Sequence, residues 1–112
     1  MKVAIIGSRG ADASHYALLE KGVPLNASEI VSGGAEGVDK LAELYAERNG
    51  LCLSVFLPDY AAYGSRAPLI RNAQIINQAD YVVALWDGAS RGTANVINLC
   101  IEKSKPFKII KI

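Results

Sequence analysis

Apolar runs rich in β-branched residues alternate along the chain with longer amphipathic segments. The first run, KVAIIG, is nearly continuous in apolar residues, as a strand buried on both faces requires. Similar runs predict further strands, and the segments between them are long enough to form crossover helices. The predicted strands are 2–7, 29–34, 51–58, 81–86 and 107–112, and the predicted helices are 12–21, 37–49, 67–78 and 93–104. This alternation predicts an α/β fold in which helices cover both faces of a parallel sheet.

The helix predicted at 67–78 has an apolar side with polar residues beside it. The residues predicted to face the sheet are Leu69, Ala73 and Ile76. Asn72 falls at the margin of that side, so we expect it to be buried and hydrogen-bonded. Arg71 lies on the polar side, from which its long side chain can reach the edge of the sheet. The alternative for Arg71 is an exposed surface arginine.

Glycine and hydroxyl residues follow three of the predicted strands. The segments are GSR at 7–9, SGGAEG at 32–37 and DGASRGT at 87–93. Ligands of open parallel sheets bind outside the carboxyl ends of the strands, where helix N-termini point. The three loops adjoin only if the strand order is 3-2-1-4-5, which is therefore the predicted topology of the sheet.

The stretch VSGGAEGVD at 31–39 poses the question of what its glycines do. They either form tight left-handed turns or let an anionic ligand approach the backbone. The spacing matches neither the GxGxxG dinucleotide fingerprint nor the GxxxxGK[ST] phosphate loop. The hydroxyl residues near the glycines either bind a ligand or cap helices. Tyr60 and Trp86 flank the same edge, where their rings either stack on a base or pack under the rim.

The length of 112 residues predicts a single domain spanning residues 1–112. Twelve basic residues against 11 acidic ones give no basic excess, so nucleic-acid binding is not favoured. No apolar run predicts a membrane span or a leader, and we expect a cytoplasmic protein. Cys52 and Cys100 are predicted to be packed, reduced thiols, and the one histidine, His15, a surface residue. We expect no cofactor and no metal site.

Several motifs together resemble the SLOG superfamily, and in particular its small, single-domain branch related to YspA. They are IIGSR, VSGGAEGVDKLAELYAE, LPDYAAYG, RNAQII and ADYVVALWDGASRGT, and they span nearly the whole chain in the expected order. The superfamily includes the LOG phosphoribohydrolases and the DNA-processing protein A family, which binds single-stranded DNA. The resemblance implies a Rossmann-like fold with a nucleotide-type pocket. The ligand-binding residues that it implies are Gly7, Ser8, Arg9, Ser32, Gly33, Gly34, Gly37, Arg71, Asn72, Asp87, Gly88, Ser90, Gly92 and Thr93.

Two positions depart from the pattern of these relatives. Val96 stands where the LOG enzymes carry their catalytic glutamate, and valine can neither take nor give a proton. Glu36 stands where similar small relatives often have a basic residue, and its carboxylate would repel an anion. The leading hypothesis is therefore a module that binds a nucleotide or nucleotide-derived molecule. The alternatives are a nucleotide N-glycosidase that uses Asp87 or Glu36, and a module that binds single-stranded nucleic acid or a protein.

We also expect the protein to form a homo-oligomer. LOG-type relatives pair through the helices that flank the pocket, and a small domain gains stability by burying an apolar helix face. Light scattering at micromolar concentration should give a mass above the 11.9 kDa of one chain. A mass of a single chain would contradict this expectation.

Overall fold

The computed structural model describes residues 1–34 and 37–112, and five parallel strands form its single sheet. The strands are β1 (Lys2–Gly7), β2 (Glu29–Ser32), β3 (Cys52–Val55), β4 (Tyr81–Trp86) and β5 (Phe107–Lys111). Their order is β3-β2-β1-β4-β5, and every neighbouring pair is parallel. The predicted strand order is confirmed.

Helices cover both faces of the sheet, as the sequence predicted. They are α1 (Tyr16–Gly22), α2 (Val38–Arg48), α3 (Tyr60–Tyr63), α4 (Ala67–Gln78) and α5 (Arg91–Glu102), with short 3-10 helices at Ala13–His15 and Gly64–Arg66. Side chains of α1 and α2 pack against one face of β1 and β4, and those of α4 and α5 pack against the other. This packing on both faces confirms the three-layer α/β architecture. None of these helices is both long and apolar enough to cross a membrane.

The two edge strands differ from the prediction that every strand is buried on both faces. The central residues of β1 are fully buried, whereas β3 and β5 contain exposed positions such as Ile109, which is 42% exposed. An edge strand has one neighbour fewer, so an apolar sequence alone does not ensure burial. Cys52 in β3 is exposed and is therefore not the packed thiol that was predicted. Cys100 in α5 is buried, and desolvation raises the pKa of its thiol.

The buried side of helix α4 is shifted from the predicted one, although Ile76 is buried as predicted. Leu69 is 52% exposed, so the expectation that it packs on the sheet is wrong. The buried positions Asn72, Ile75 and Ile76 instead follow the i, i+3, i+4 spacing of one helix face. Asn72 lies inside that face, where it is 5% exposed and hydrogen-bonded, as expected. The misassignment arose because α4 has apolar residues on both candidate faces and only packing selects one.

Two glycines that flank α2 have left-handed backbones, and their surroundings differ. Gly37 precedes α2 at φ 78°, and a Cβ added there would collide with the carbonyl oxygen of Ala11. Gly50 follows α2 at φ 63°, and an added Cβ would meet nothing within 4 Å. Gly50 is thus a left-handed residue just beyond the helix, where helices commonly end on glycine. Gly37 also lets the start of α2 approach the loop after β1.

This pair separates backbone strain from steric collision. Gly50→Ala should lower the free energy of unfolding by about 1–2 kcal/mol because of its left-handed backbone alone. Gly37→Ala adds an overpacked contact and should cost about 2–5 kcal/mol. Urea unfolding of the two variants measures both losses. Equal losses would contradict the close approach of the two loops.

Candidate ligand-binding site

A buried serine holds the loops after β1 and β4 together at the carboxyl edge of the sheet. The backbone N–H of Ser8 donates to the carbonyl oxygen of Leu85 at 2.9 Å. The hydroxyl oxygen of Ser8 accepts from the backbone N–H of Asp87 at 3.1 Å, and Ser8 is only 1% exposed. The chain thus leaves both strands along the same path, and the two loops share one edge.

A cavity of about 620 Å³ opens at this edge between the strand ends and the helices α4 and α5. Of the ligand-binding residues implied by the sequence, those that line it are Gly7, Arg9, Gly33, Gly34, Arg71, Asn72, Ser90, Gly92 and Thr93. They come from the loops after β1, β2 and β4 and from α4, which are far apart in the chain. The fold therefore brings most of these residues around one space.

The other five residues of that set do not line this cavity. Ser8 has the structural contacts described above, and Gly37 packs against the loop after β1. Ser32 is fully buried, and its hydroxyl donates to Asp39 Oδ1 at 3.0 Å instead of facing the cavity. Asp87 borders a second, shallower depression beside Arg9, and Gly88 forms a turn at φ 84°.

Asp87 holds the loop that leads into α5. Its Oδ1 atom accepts from the backbone N–H groups of Ala89 and Ser90, both at 2.8 Å. These two bonds favour the charged carboxylate and lower the pKa of Asp87. This oxygen atom thereby shapes the loop.

The first turn of α5 presents backbone donors to the cavity. Ser90 is the N-cap residue, and its hydroxyl oxygen accepts from the N–H of Thr93 and contacts the Thr93 hydroxyl at 3.2 Å. The geometry of a helix leaves the first N–H groups without partners inside the helix, and the macrodipole favours a negative charge there. Arg91 and Gly92 at this turn both line the cavity, and an added Cβ at Gly92 would meet nothing within 4 Å. An anion therefore has an open path to these donors.

Arg71 extends from α4 across the cavity wall. Its Nη1 atom donates to the carbonyl oxygen of Gly33, and its Nε atom donates to Asn72 Oδ1 at 2.9 Å. Burial disfavours the charged guanidinium and lowers the pKa of Arg71, although the group remains a strong base. Two of its N–H groups bind described residues, and a guanidinium has five such donors in total.

Gly33 leaves room for this arginine. A Cβ added at Gly33 would lie 3.1 Å from Arg71 Nη1 and 3.1 Å from Ile75 Cδ1. Gly34 beside it has a left-handed backbone at φ 70°. The two glycines thus serve close packing and a turn, and Gly34 also borders the cavity.

Several residues that line the cavity were not among the implied set. They are Ile6, Val38, Pro58, Tyr60, Pro68, Leu69, Ile75, Arg91, Asn95 and Val96. The apolar ones could not be separated by sequence from ordinary core residues, since their periodicity is the same. Asn95 and Arg91 carried a usable signal, because both lie within one turn of the Gly-rich segment that begins α5.

The charged side chains in the described lining of the cavity are all positive. Arg9, Arg71 and Arg91 bring three cations to it, and no described residue that lines it is an aspartate or glutamate. Val96, at the position of the LOG glutamate, is 2% exposed and forms part of the apolar wall. Glu36, the other acidic candidate, lies outside the described residues. In the part of the chain that is described, no group of three potential metal-binding side chains occurs.

The two aromatic residues at this edge have different surroundings. Tyr60 is 60% exposed and lines the cavity at the start of α3. The ring of Trp86 packs against the core between the sheet and α4 and α5, and its indole N–H donates to the carbonyl oxygen of Ser90 at 3.1 Å. Only Tyr60 is therefore positioned to stack on a ligand.

Removing the side chain of Asp87 should lower the melting temperature at neutral pH, since two N–H groups lose their acceptor. The lowered pKa means that this stabilisation is present above the unfolded value of about 4 and is lost as the pH falls through the folded-state pKa. We expect the difference between the wild type and Asp87→Ala to shrink in strong acid. Asp87→Asn keeps an acceptor oxygen without the charge and is the control. A difference independent of pH would contradict the assigned role.

Comparisons with known proteins support the fold. No protein-family model and no curated protein matches the sequence. Among solved structures, the chain is similar to DNA processing protein A (DprA) from Streptococcus pneumoniae, with a TM-score of 0.77 and 20% sequence identity. The match covers 99% of this chain and 50% of that one, so the chain spans half the length of the protein that it matches. The shared fold is the Rossmann-like arrangement that the resemblance to the SLOG superfamily implies.

Proposed function

We propose that the protein binds a nucleotide or a nucleotide-derived small molecule in the cavity at the carboxyl edge of the sheet. The observation that carries the proposal is the composition of the described lining. Three arginines and the first turn of α5 supply donors around an apolar wall. An anionic group attached to a flat, less polar body matches both parts of this surface.

The dimensions of the cavity support a ligand of this size. Small-molecule sites in proteins have volumes of about 300–1,000 Å³, and the cavity measures about 620 Å³. Ile75 and Val96 give it an apolar wall, and Tyr60 stands at its rim. A nucleoside monophosphate has a phosphate for the donors and a base for the apolar wall and the tyrosine ring.

Arg71 is the residue that we assign to the anionic group. Its bonds to Gly33 and Asn72 hold the guanidinium in one orientation, so little side-chain entropy is left to lose on binding. Planar arginine forks suit phosphate and carboxylate oxygens. Backbone N–H groups at the start of α5 provide the second side of the same anion site.

We propose that binding serves the sensing or processing of the ligand, and we assign no catalytic residue to this chain. N-glycoside cleavage requires a proton donor or acceptor at the bond that breaks. Val96 supplies neither, and Asp87 does not line the cavity and uses its Oδ1 atom to hold its own loop. We also propose, from the sequence motifs, that the chain is a cytoplasmic, self-associating member of the YspA-related branch of the SLOG superfamily.

Single-stranded DNA is the second candidate ligand. It is favoured by the structural similarity to DNA processing protein A, whose name describes its role. The exposed ring of Tyr60 and the three arginines are the kinds of group that bind unpaired bases and their backbone. The net charge of +1 argues for a weak, local interaction.

Calorimetric titration with the four common nucleoside monophosphates tests the proposal. Arg71→Ala should weaken binding by about 1.5–3 kcal/mol, which is about a tenfold to hundredfold loss, because a charge-assisted pair disappears. The same variant should also melt somewhat earlier, since Gly33 and Asn72 lose a donor. Arg66→Ala removes the same charge from an exposed position that does not line the cavity, and it should bind like the wild type.

Three other results of these experiments would each point to a different conclusion. Unchanged affinity in Arg71→Ala would remove this residue from the site. Binding of a single-stranded oligonucleotide that falls steeply with salt, with no response to the monophosphates, would favour the second candidate. Release of free base from a nucleotide would reveal turnover.

A further inference from the structure

Three side chains form one hydrogen-bonded chain along the wall of the cavity. Arg71 Nε donates to Asn72 Oδ1 at 2.9 Å. Asn72 Nδ2 in turn donates to Asn95 Oδ1 at 3.0 Å. The chain links α4 to α5, and Asn95, its last member, lines the cavity.

The chemistry of arginine fixes the direction of every bond in this chain. A guanidinium has donors and no acceptor, so the atom of Asn72 that faces it must be the amide oxygen. The other end of the Asn72 amide is then the NH₂ group, which can only donate. The atom of Asn95 that faces Asn72 must therefore be its oxygen. The Asn95 NH₂ group is left on the other side of that amide, and no described residue accepts a hydrogen bond from it.

The place of Asn95 on α5 relates it to the anion site. It follows Gly92 by three residues, which is about 4.5 Å further along the helix axis and on a similar side. Ile75 and Val96, both of which are buried and apolar, line the same cavity. An anion at the first turn of α5 would leave the uncharged body of the ligand beside Asn95.

We infer that Asn95 is a specificity-determining residue that donates a hydrogen bond to the base, an inference that rests on the proposed nucleotide binding. Its partner is an acceptor atom, a carbonyl oxygen or a ring nitrogen. Arg71 and Asn72 act as positioning residues, because they hold the Asn95 amide with its NH₂ group toward the ligand. A site that offers a donor and no acceptor at this point discriminates between bases, since the bases differ in the order of their donors and acceptors.

The test measures selectivity, expressed as the ratio of the weakest to the tightest Kd among the four nucleoside monophosphates. In the wild type this ratio should be at least about tenfold, because that is the difference in Kd expected when one hydrogen bond to the base is made or is left unmade. Asn95→Asp keeps an oxygen for Asn72 and replaces the NH₂ donor by an acceptor. It should fold normally and lose or reverse the preference. Asn95→Ala is the second variant, and it should also lose the preference.

Two arginine variants distinguish orientation from charge. Arg91→Ala removes an arginine that lines the cavity but takes no part in the hydrogen bonds among Arg71, Asn72 and Asn95. It should weaken the binding of all four nucleotides by a similar factor and keep the ratio. Arg71→Ala removes the group that fixes both amides, so it should weaken binding and also reduce the ratio. A purely structural or electrostatic role of Arg71 would leave the ratio unchanged.

The outcomes separate this inference from the function on which it rests. If no nucleotide binds the wild type, both the proposed function and this inference fail. If nucleotides bind without preference, or if the preference survives in Asn95→Asp and Asn95→Ala, the role of Asn95 is wrong while nucleotide binding stands. Loss of the ratio in both Asn95 variants and its retention in Arg91→Ala is the expected result.

Discussion

The parallel arrangement of the strands is the constraint on which the rest of the molecule depends. Because all five strands run in one direction, their carboxyl ends lie at the same edge, and every loop that follows a strand begins there. The order β3-β2-β1-β4-β5 brings the loops after β1, β2 and β4 into neighbouring positions. The buried hydroxyl of Ser8 then ties two of them together. Residues far apart in the chain share a cavity as a consequence of this topology.

The glycines of the segment after β2 illustrate how one sequence feature serves several physical needs. Gly33 makes room for the Arg71 guanidinium, whereas Gly34 and Gly37 have left-handed backbones. Gly37 in addition lets α2 approach the loop after β1. The two alternatives that the sequence posed, a tight turn and a ligand cradle, therefore left out close packing within the protein. In this segment glycine permits close contact between parts of the protein, and Gly33 and Gly34 also line the cavity.

The sequence was sufficient to predict the fold because the five strands and the four longer helices each carry their own pattern of apolar residues. Helices, strands and the strand order followed from alternation, loop chemistry and the rules of parallel sheets. The short helix α3 was missed, since its four residues, YAAY, bury nothing and have no periodicity. The exposure of β3 and β5 was missed because the position of a strand in the sheet is a tertiary property. Leu69 was wrongly assigned to the buried side of α4 for the same reason.

The cavity itself could be predicted only in part. Glycine and hydroxyl residues after strands indicated the edge, but side-chain direction decides whether such a residue faces the cavity or the core. Ser32 and Ser8 are buried structural residues, and sequence does not distinguish them from Ser90, which lines the cavity. The place of Asn95 near the Gly-rich start of α5 was a usable signal, but its hydrogen bond to Asn72, which is 23 residues away in the chain, was not foreseen. Pairwise hydrogen bonds of this kind depend on helix packing and leave no local pattern.

The partial burial of Arg71 has a consequence for the order in which hydration is lost. The lowered pKa of its guanidinium reflects water that was removed when the chain folded, before any ligand arrives. That dehydration lowers the stability of the folded protein. An incoming anion does not have to strip this water again, so its attraction to the guanidinium is less offset than at an exposed arginine. Folding thus prepares Arg71 for an anion at this position by removing part of its water in advance.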